Sequence, residues 1–421
     1  MLVYKFGGAS VRDAAGIRNL ALILSGIDDQ LVVVVSAFGK TTNALELVHK
    51  RWMAGDPGYT EQLDSVHSYH REIFEDLNGR RERAENQYDK SFDELKSYLK
   101  NKKPAGFDFE YDQIVSYGEL WSTLIISQFL NQEGSVNKWI DIRSVLLTDN
   151  RHRDANIIWD ESSENIKKTF DFAYCRTFIT QGFIGGTSDG HASTLGREGS
   201  DYTAAVLANV LDAESVTVWK DVPGLLNADP KWMSDAVKLD EVSYREAVEM
   251  TFSGAKVIHP KTIKPLHNKS IPLHVRSFID PSLTGTLVTS EPEIRKVHPV
   301  YIRKEKQVLL TLLPKDFSFV MGDNLSNIFR VFMNQGIKVN LVEASAVSID
   351  VCIDDERSRI EELIAGLKSE YSVLYNEGVE MLTVRHYTAE SVERITKSRE
   401  VLLEQRTRST VRFVVRGLSV K

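Results

Sequence analysis

The stretch Leu2-Val-Tyr-Lys5-Phe-Gly-Gly-Ala-Ser-Val11 opens the chain with a short apolar run that stops at a pair of glycines. An amphipathic stretch from Val11 through Leu24 follows it, and Leu31 to Val35 is then a second apolar run without alternation. A strand with no polar face is covered on both sides, the situation of a parallel strand between helices. Strand, small-residue loop and helix are thus repeated at once. The pattern returns at Lys138 to Ile142, at Thr177 to Ile184, and at Ser215 to Lys220 before Asp221-Val-Pro-Gly224. The sequence therefore predicts the α/β class: three layers around a mainly parallel central sheet.

Between these strands a charge-rich stretch from Glu61 to Lys103 reads as helix, with Leu63, Val66, Ile73, Phe74 and Leu77 at helical spacing and Asn101-Lys-Lys-Pro104 as its stop. His67 and His70 have the spacing of two metal ligands, but without a third ligand nearby a helix surface is the better reading. Arg80-Arg-Glu-Arg83 is interleaved with acids and reads as a solvated face.

Beyond Asp280-Pro-Ser-Leu-Thr-Gly285 and Ser290-Glu-Pro292 the pattern changes. Val308 to Leu313 is a strand, and Leu325, Ile328, Phe329 and Phe332 make one helical face stopped by Gly336. Ile337, Val339 and Leu341 alternate, as do Val347, Ile349, Val351 and Ile353, and Ile360, Leu363, Ile364 and Leu367 mark a further helix. The order β-α-β-β-α is that of a ferredoxin-like ligand-binding module. A partial second copy follows, with strand Met381 to His386, helix Glu390 to Gln405 and strand Thr410 to Val415. Two domains are expected, 1–288 and 289–421, the second an α+β region.

The composition bounds the function. Of 421 residues, 52 are Lys or Arg and 59 Asp or Glu, a formal net charge of −7, which disfavours a nucleic-acid-binding face. Hydrophobic residues at 42% and charged residues at 26% are ordinary for globular domains. Two cysteines, Cys175 and Cys352, favour a reducing compartment. No apolar run approaches the length of a membrane span and the N-terminus lacks a signal-peptide pattern, so a cytoplasmic protein without a membrane is the expectation.

Two loops carry candidate chemistry. Lys5 ends the first strand and Gly7 and Gly8 follow it. Bare N–H groups at a strand-to-helix turn approach phosphate oxygens closely, and an ammonium beside them offsets charge on a transferred phosphoryl group. The turn has neither the Walker pattern nor Gly-x-Gly-x-x-Gly. The second loop, Gly190-His-Ala-Ser-Thr-Leu-Gly-Arg-Glu-Gly-Ser-Asp201, combines small hydroxyl residues, glycines, Arg197 and Asp201. It can hold an anionic substrate through a bidentate Arg197, with Asp201 orienting a cation or lysine; equally, it can be a surface turn with a helix cap at Ser200 or Asp201.

Taken in order, Lys5-Phe-Gly-Gly-Ala-Ser-Val11, Val35-Ser-Ala37 with Thr42-Asn43, Ser116-Tyr-Gly-Glu119, Ser193 through Asp201, Asp221-Val-Pro-Gly224 with Ala228-Asp-Pro230, and Gly254-Ala-Lys-Val-Ile-His-Pro260 resemble the motifs of aspartokinases. The resemblance covers a whole amino acid kinase domain and part of a regulatory region of paired ACT modules. It implies transfer of the γ-phosphoryl group of ATP to the β-carboxylate of L-aspartate with Mg²⁺, the first step toward lysine, threonine and methionine. It further implies that Lys5 and Asp201 are catalytic, with Gly7 and Gly8 at the phosphates. Lys220, Asp221, Leu226, Lys231, Lys256 and Val257 would surround the nucleotide, and Thr42, Glu119, Phe183, Arg197 and Ser200 the aspartate. Mg²⁺ would be held mainly by the ATP phosphates, with Asp201 as the candidate protein ligand.

The chain departs from the family pattern at Ala9, Lys220, Leu226 and Lys231, where Thr, Thr, Tyr and Arg are usual. An amino-acid effector would sit at Met321, Gly322, Leu325, Val339 and Asn340, between two ACT-paired subunits of a homodimer. Asn340 and Ala346 are neutral where lysine-sensitive relatives often carry acids, so weak or absent lysine inhibition is expected. The second module looks short of a final helix and strand unless a partner chain completes it. At this length no appended homoserine dehydrogenase domain is expected. The rival readings are a kinase for a related acceptor such as acetylglutamate, and a catalytically silent amino-acid sensor.

Overall fold

The computed structural model describes residues 1–78, 87–255, 258–293, 297–316, 318–320 and 323–417. Two compact units emerge. The first comprises Met1–Leu225, Lys238–Val248 and Val257–Glu293; the second comprises Leu226–Val237, Glu249–Lys256 and Ile294–Lys421. The second unit thus draws two short pieces from before residue 289, the expected start of the second domain.

The first unit is built on an eight-stranded sheet in the order Lys138–Ile140, Thr177–Gln181, Leu31–Val35, Leu2–Phe6, Ser215–Lys220, Leu273–Ser277, Thr286–Thr289, Glu241–Ser243. Every pairing is parallel except that between Leu273–Ser277 and Thr286–Thr289. Leu31–Val35 is buried at all its positions. Leu31, Val33 and Val35 join Tyr4 and Phe6 in a core with the helices Ala14–Ser25, Thr41–Met53, Tyr59–Asn78, Gln87–Asn101 and Tyr117–Gln132. Val32 and Val34, pointing the other way, are equally buried. The helix Gly199–Val210, whose Ala204, Ala205, Val206, Leu207 and Ala208 are fully buried, packs against the Leu2–Phe6, Leu31–Val35 and Ser215–Lys220 strands. A small sheet of Leu147–Thr148, Ile184–Thr187 and Ala192–Thr194 leads into the Arg197 loop.

The second unit is a six-stranded antiparallel sheet in the order Val339–Ala344, Ile349–Asp354, Val300–Pro314, Tyr371–Arg385, Thr410–Gly417, Arg399–Arg406. Two 15-residue strands run through both halves of it. Gln307 to Leu312 pairs with Ile349–Asp354, and the helices Asp323–Asn334 and Arg357–Leu367 cover this half. Past irregularities at Lys304, Gln307 and Leu309, Val300 to Lys304 pairs with Met381 to Arg385, which pairs in turn with Thr410–Gly417. The fourth strand of the second module is therefore the start of Val300–Pro314, supplied by the same chain. Ala228 and Met233 pack with Tyr301 and with Ile395 of the helix Ala389–Thr396.

Several expected elements are corrected. The helix expected over Glu390 to Gln405 ends at Thr396, and Arg399–Arg406 is an edge strand paired to Thr410–Gly417. Within Glu61 to Lys103 the described residues form the helices Tyr59–Asn78 and Gln87–Asn101. Thr177 to Ile184 belongs to two strands in different sheets. His70 is not on a helix surface: it is fully buried, its Nδ1 2.8 Å from the Val66 carbonyl oxygen, and burial lowers its pKa to about 4. Arg80 to Arg83 lie outside the described residues. Among the described residues, no helix is long and apolar enough to cross a membrane.

Candidate active site

Parallel pairing places the two lysines. Lys5 and Phe6 of the central strand stand opposite Val218 and Trp219, so Lys220 leaves the neighbouring strand beside the Gly-Gly turn. The N-terminus of Gly199–Val210 faces the same point, with Ser200 and Asp201 in its first turn. Lys5 Nζ lies 2.5 Å from Asp201 Oδ1 and Lys220 Nζ 3.9 Å from Asp201 Oδ2. Burial by itself would raise the Asp201 carboxyl, but the two ammonium groups outweigh it and hold its pKa below the usual carboxylate range.

Close backbone packing builds the surrounding loops. A Cβ on Gly8 would stand 2.4 Å from the Ala37 carbonyl oxygen, and the Gly39 N–H donates to the Gly8 carbonyl at 2.9 Å. Only a bare residue lets the two loops meet there. Ala37 N–H in turn donates to Glu119 Oε1 at 3.4 Å. Glu119, in the first turn of Tyr117–Gln132, is 2% exposed, and its Oε2 has no hydrogen-bond partner among the described residues. Desolvation pushes its pKa up to about 8, against the pull of the Ala37 N–H and the Thr42 hydroxyl. Among the described residues no cation pairs with it. Ser36 Oγ donates to Ser200 Oγ at 2.9 Å. Phe183 has a φ of 72°, a conformation that costs a side chain roughly 1 to 3 kcal/mol, and its ring lies where a Cβ on Gly199 would come within 2.9 Å.

These groups line one cavity of about 590 Å³: Lys5, Gly7, Thr42, Glu119, Phe183, Arg197, Ser200, Asp201, Lys220 and Asp221 all reach it. Arg197 is exposed there and has no ion-pair partner among the described residues. The cavity gathers lysines, glycine and a helix N-terminus, a setting for phosphate, together with a guanidinium and a carboxylate that pair with no opposite charge among the described residues, a setting for a zwitterion.

A profile of the amino acid kinase family matches residues 1–277. The chain belongs to the amino acid kinase family. Within it, the lysine-sensitive aspartokinase 3 of Escherichia coli (strain K12) is 33% identical over 84% of this chain and 78% of its own length. The chloroplastic bifunctional aspartokinase/homoserine dehydrogenase 2 of Arabidopsis thaliana is 30% identical over 89% of this chain, which spans 42% of that protein. A crystal structure of E. coli aspartokinase III in complex with aspartate and ADP superposes with a TM-score of 0.83 at 30% identity, covering 99% of this chain and 96% of that one. The membership is thus with the aspartokinases among amino acid kinases.

Not every expected residue of this family member reaches the cavity. Gly8 lies behind the turn as a packing residue. Leu226 and Lys231 belong to the second unit. Lys256 and Val257 lie outside the described residues, as do Met321 and Gly322. Leu325 and Val339 pack at the edge of the second unit's helical core. The Asn340 side chain is engaged inside the sheet: Lys304 Nζ donates to its Oδ1 at 2.7 Å, and its Nδ2 donates to Gln307 Oε1 at 2.8 Å and Asp354 Oδ1 at 3.0 Å. The structure also adds cavity residues that sequence reasoning left out, among them Tyr111, Arg153 and Trp219. Spacing gave no sign of Arg153, which sits in a turn brought to the cavity only by the tertiary fold.

Proposed function

We infer that this chain is an ATP-dependent aspartate kinase, forming 4-phospho-L-aspartate from ATP and L-aspartate. The observation that carries this reading is the meeting, in one cavity, of the Lys5–Asp201–Lys220 cluster with an unpaired Arg197 and a cation-free Glu119. Glu119 takes the α-ammonium, Arg197 the α-carboxylate, and Thr42, Phe183 and Ser200 complete the acceptor pocket. The β-carboxylate is left with one oxygen facing the phosphates. It is ionised at neutral pH and is itself the nucleophile, so alignment and charge neutralisation must lower the barrier. Lys5 and Lys220 neutralise the transferring group, Gly7 offers backbone contacts, and Asp201 keeps both ammonium groups in place.

Magnesium fits as a passenger on ATP. Asp201 and Asp221 are the carboxylates at the lysine end of the cavity, and among the described residues no cluster of three candidate ligands would hold an ion alone. Bound there, the ion would spread charge from the phosphate oxygens.

We further propose that the second unit is regulatory and pairs with a copy of itself into a homodimer. The chain's own Lys304 ammonium already occupies Asn340 and lies 2.7 Å from Asp354, which leaves little to attract a ligand ammonium at that position. Lysine inhibition is therefore expected to be weak. Release of ADP with aspartate, glutamate and acetylglutamate as alternative acceptors tests the main reading: turnover with aspartate far above the other two supports it, and turnover with none, or best with another, refutes it.

A further inference from the structure

Arg153, which lines the cavity, adopts a φ of 69°, a left-handed conformation that residues other than glycine avoid. Such an outlier persists only where its surroundings over-determine it. Here they do. The Arg153 N–H donates to both oxygens of Asp112, at 3.2 and 3.1 Å, and Asp112 is fully buried. The same carboxylate accepts from Thr194 Oγ1 at 2.7 Å and lies 2.8 Å from His152 Nδ1. Ala155 N–H donates to the Thr194 carbonyl at 2.9 Å. Gly196, at a φ of 77°, comes so near that a Cβ would stand 2.7 Å from Asp154 Oδ1 and 3.2 Å from the Arg153 carbonyl oxygen. The turn bearing Arg153 and the loop bearing Arg197 are fastened into one piece, with Asp112 as the rivet.

Nothing in that backbone arrangement requires a guanidinium, since glycine would take the same turn without strain. The guanidinium instead lies 4.5 Å over the Tyr111 ring, which also lines the cavity, and reaches Asp108 at 3.2 Å in a pair whose members are 43% and 61% exposed. An exposed pair of this kind exchanges partners at little cost. Beside its Lys5–Asp201–Lys220 cluster the cavity thus offers two guanidinium groups, Arg153 and Arg197, and one carboxyl group, Glu119. An amino acid with two carboxylates and one ammonium is its charge complement.

We propose that Arg153 is a further acceptor-binding residue that works with Arg197 to favour an amino acid bearing two carboxylates over one bearing a single carboxylate. The proposal rests on the aspartate kinase reading and assigns part of its substrate choice. Arg153→Gly removes the guanidinium and keeps the turn. In that variant the melting temperature stays level or rises, the KM and calorimetric Kd for aspartate rise about tenfold or more, as expected for a lost charged hydrogen bond, and the KM for ATP changes less than about twofold. Binding of asparagine, which lacks the second carboxylate, is unchanged, and Arg153→Lys is intermediate. Unchanged aspartate affinity, an equal loss for aspartate and asparagine, or a lowered melting temperature with all constants impaired would each overturn the proposal. Wild-type protein that neither binds nor turns over aspartate would overturn the functional reading beneath it, whereas normal turnover with an indifferent Arg153→Gly variant would overturn only this inference.

Discussion

Lys5 and Glu119 make opposite demands on their surroundings, and both can be tested one residue at a time. Lys5 is nearly buried against Asp201, so its ammonium is held for charge that develops during transfer. Lys5→Ala should lower kcat by about 10² to 10³, the usual scale for a preorganised charge aimed at a transition state, while the KM for aspartate moves little. Steady-state kinetics check this, and near-normal turnover would remove Lys5 from the mechanism. Glu119 is mostly protonated at pH 7, since burial lifts its pKa to about 8. An incoming ammonium favours the ionised form, so aspartate binding releases a proton below that value. Affinity should therefore rise as pH rises toward about 8 and then level off. Calorimetry in buffers of different ionisation enthalpy would read the proton release; Glu119→Gln should bind more weakly and release none. Lys5 was legible in the sequence because its chemistry is local, a lysine followed by two glycines. Arg153 was not, because its role depends on Asp112 some forty residues earlier and on Thr194 some forty later, contacts that no spacing rule encodes.

At the scale of elements, the active site depends on loops that touch through their backbones. Gly8→Ala would drive a methyl group into the Ala37 carbonyl, with no flexible side chain to yield. A stability loss of about 1 to 3 kcal/mol is expected from such overpacking, together with a loss of kcat, because the Ala37 segment also carries the N–H that meets Glu119. Urea denaturation and kinetics on one preparation would measure both, and a stable, fully active variant would contradict the packing argument. The parallel strands were legible because burial on both faces leaves an unmistakable apolar run at Leu31–Val35. Arg399–Arg406 was misread as helix for a physical reason: Arg, Glu, Gln and Leu all favour helices locally, but pairing with Thr410–Gly417 decides the conformation. The strand missing from the second module was also present in the chain. The long strand Val300–Pro314 serves two modules, and its first half lies some 80 residues before its partner Met381 to Arg385.

For the whole molecule, the proposed function places catalysis in the first unit and control in the second. The fold class and the order of the motifs were legible over nearly the whole kinase portion, where strand, loop and helix repeat; the ferredoxin-like modules of the second unit were legible too, but not their merging into one six-stranded sheet, since antiparallel strands far apart in sequence set that topology. Steady-state assays with lysine, threonine and methionine, singly and in pairs, should show weak lysine inhibition, because two missing carboxylates forgo charged hydrogen bonds of about 1.5 to 3 kcal/mol each. Potent inhibition by micromolar lysine alone would contradict that. Phosphoryl transfer to a carboxylate of aspartate gives an acyl phosphate, which hydroxylamine converts to a hydroxamate with release of phosphate. Incubation of the protein with ATP, Mg²⁺, L-aspartate and hydroxylamine should yield aspartyl β-hydroxamate in step with ADP, and Lys5→Ala should yield almost none. ADP release without hydroxamate, or hydroxamate formed as readily by Lys5→Ala, would contradict the account.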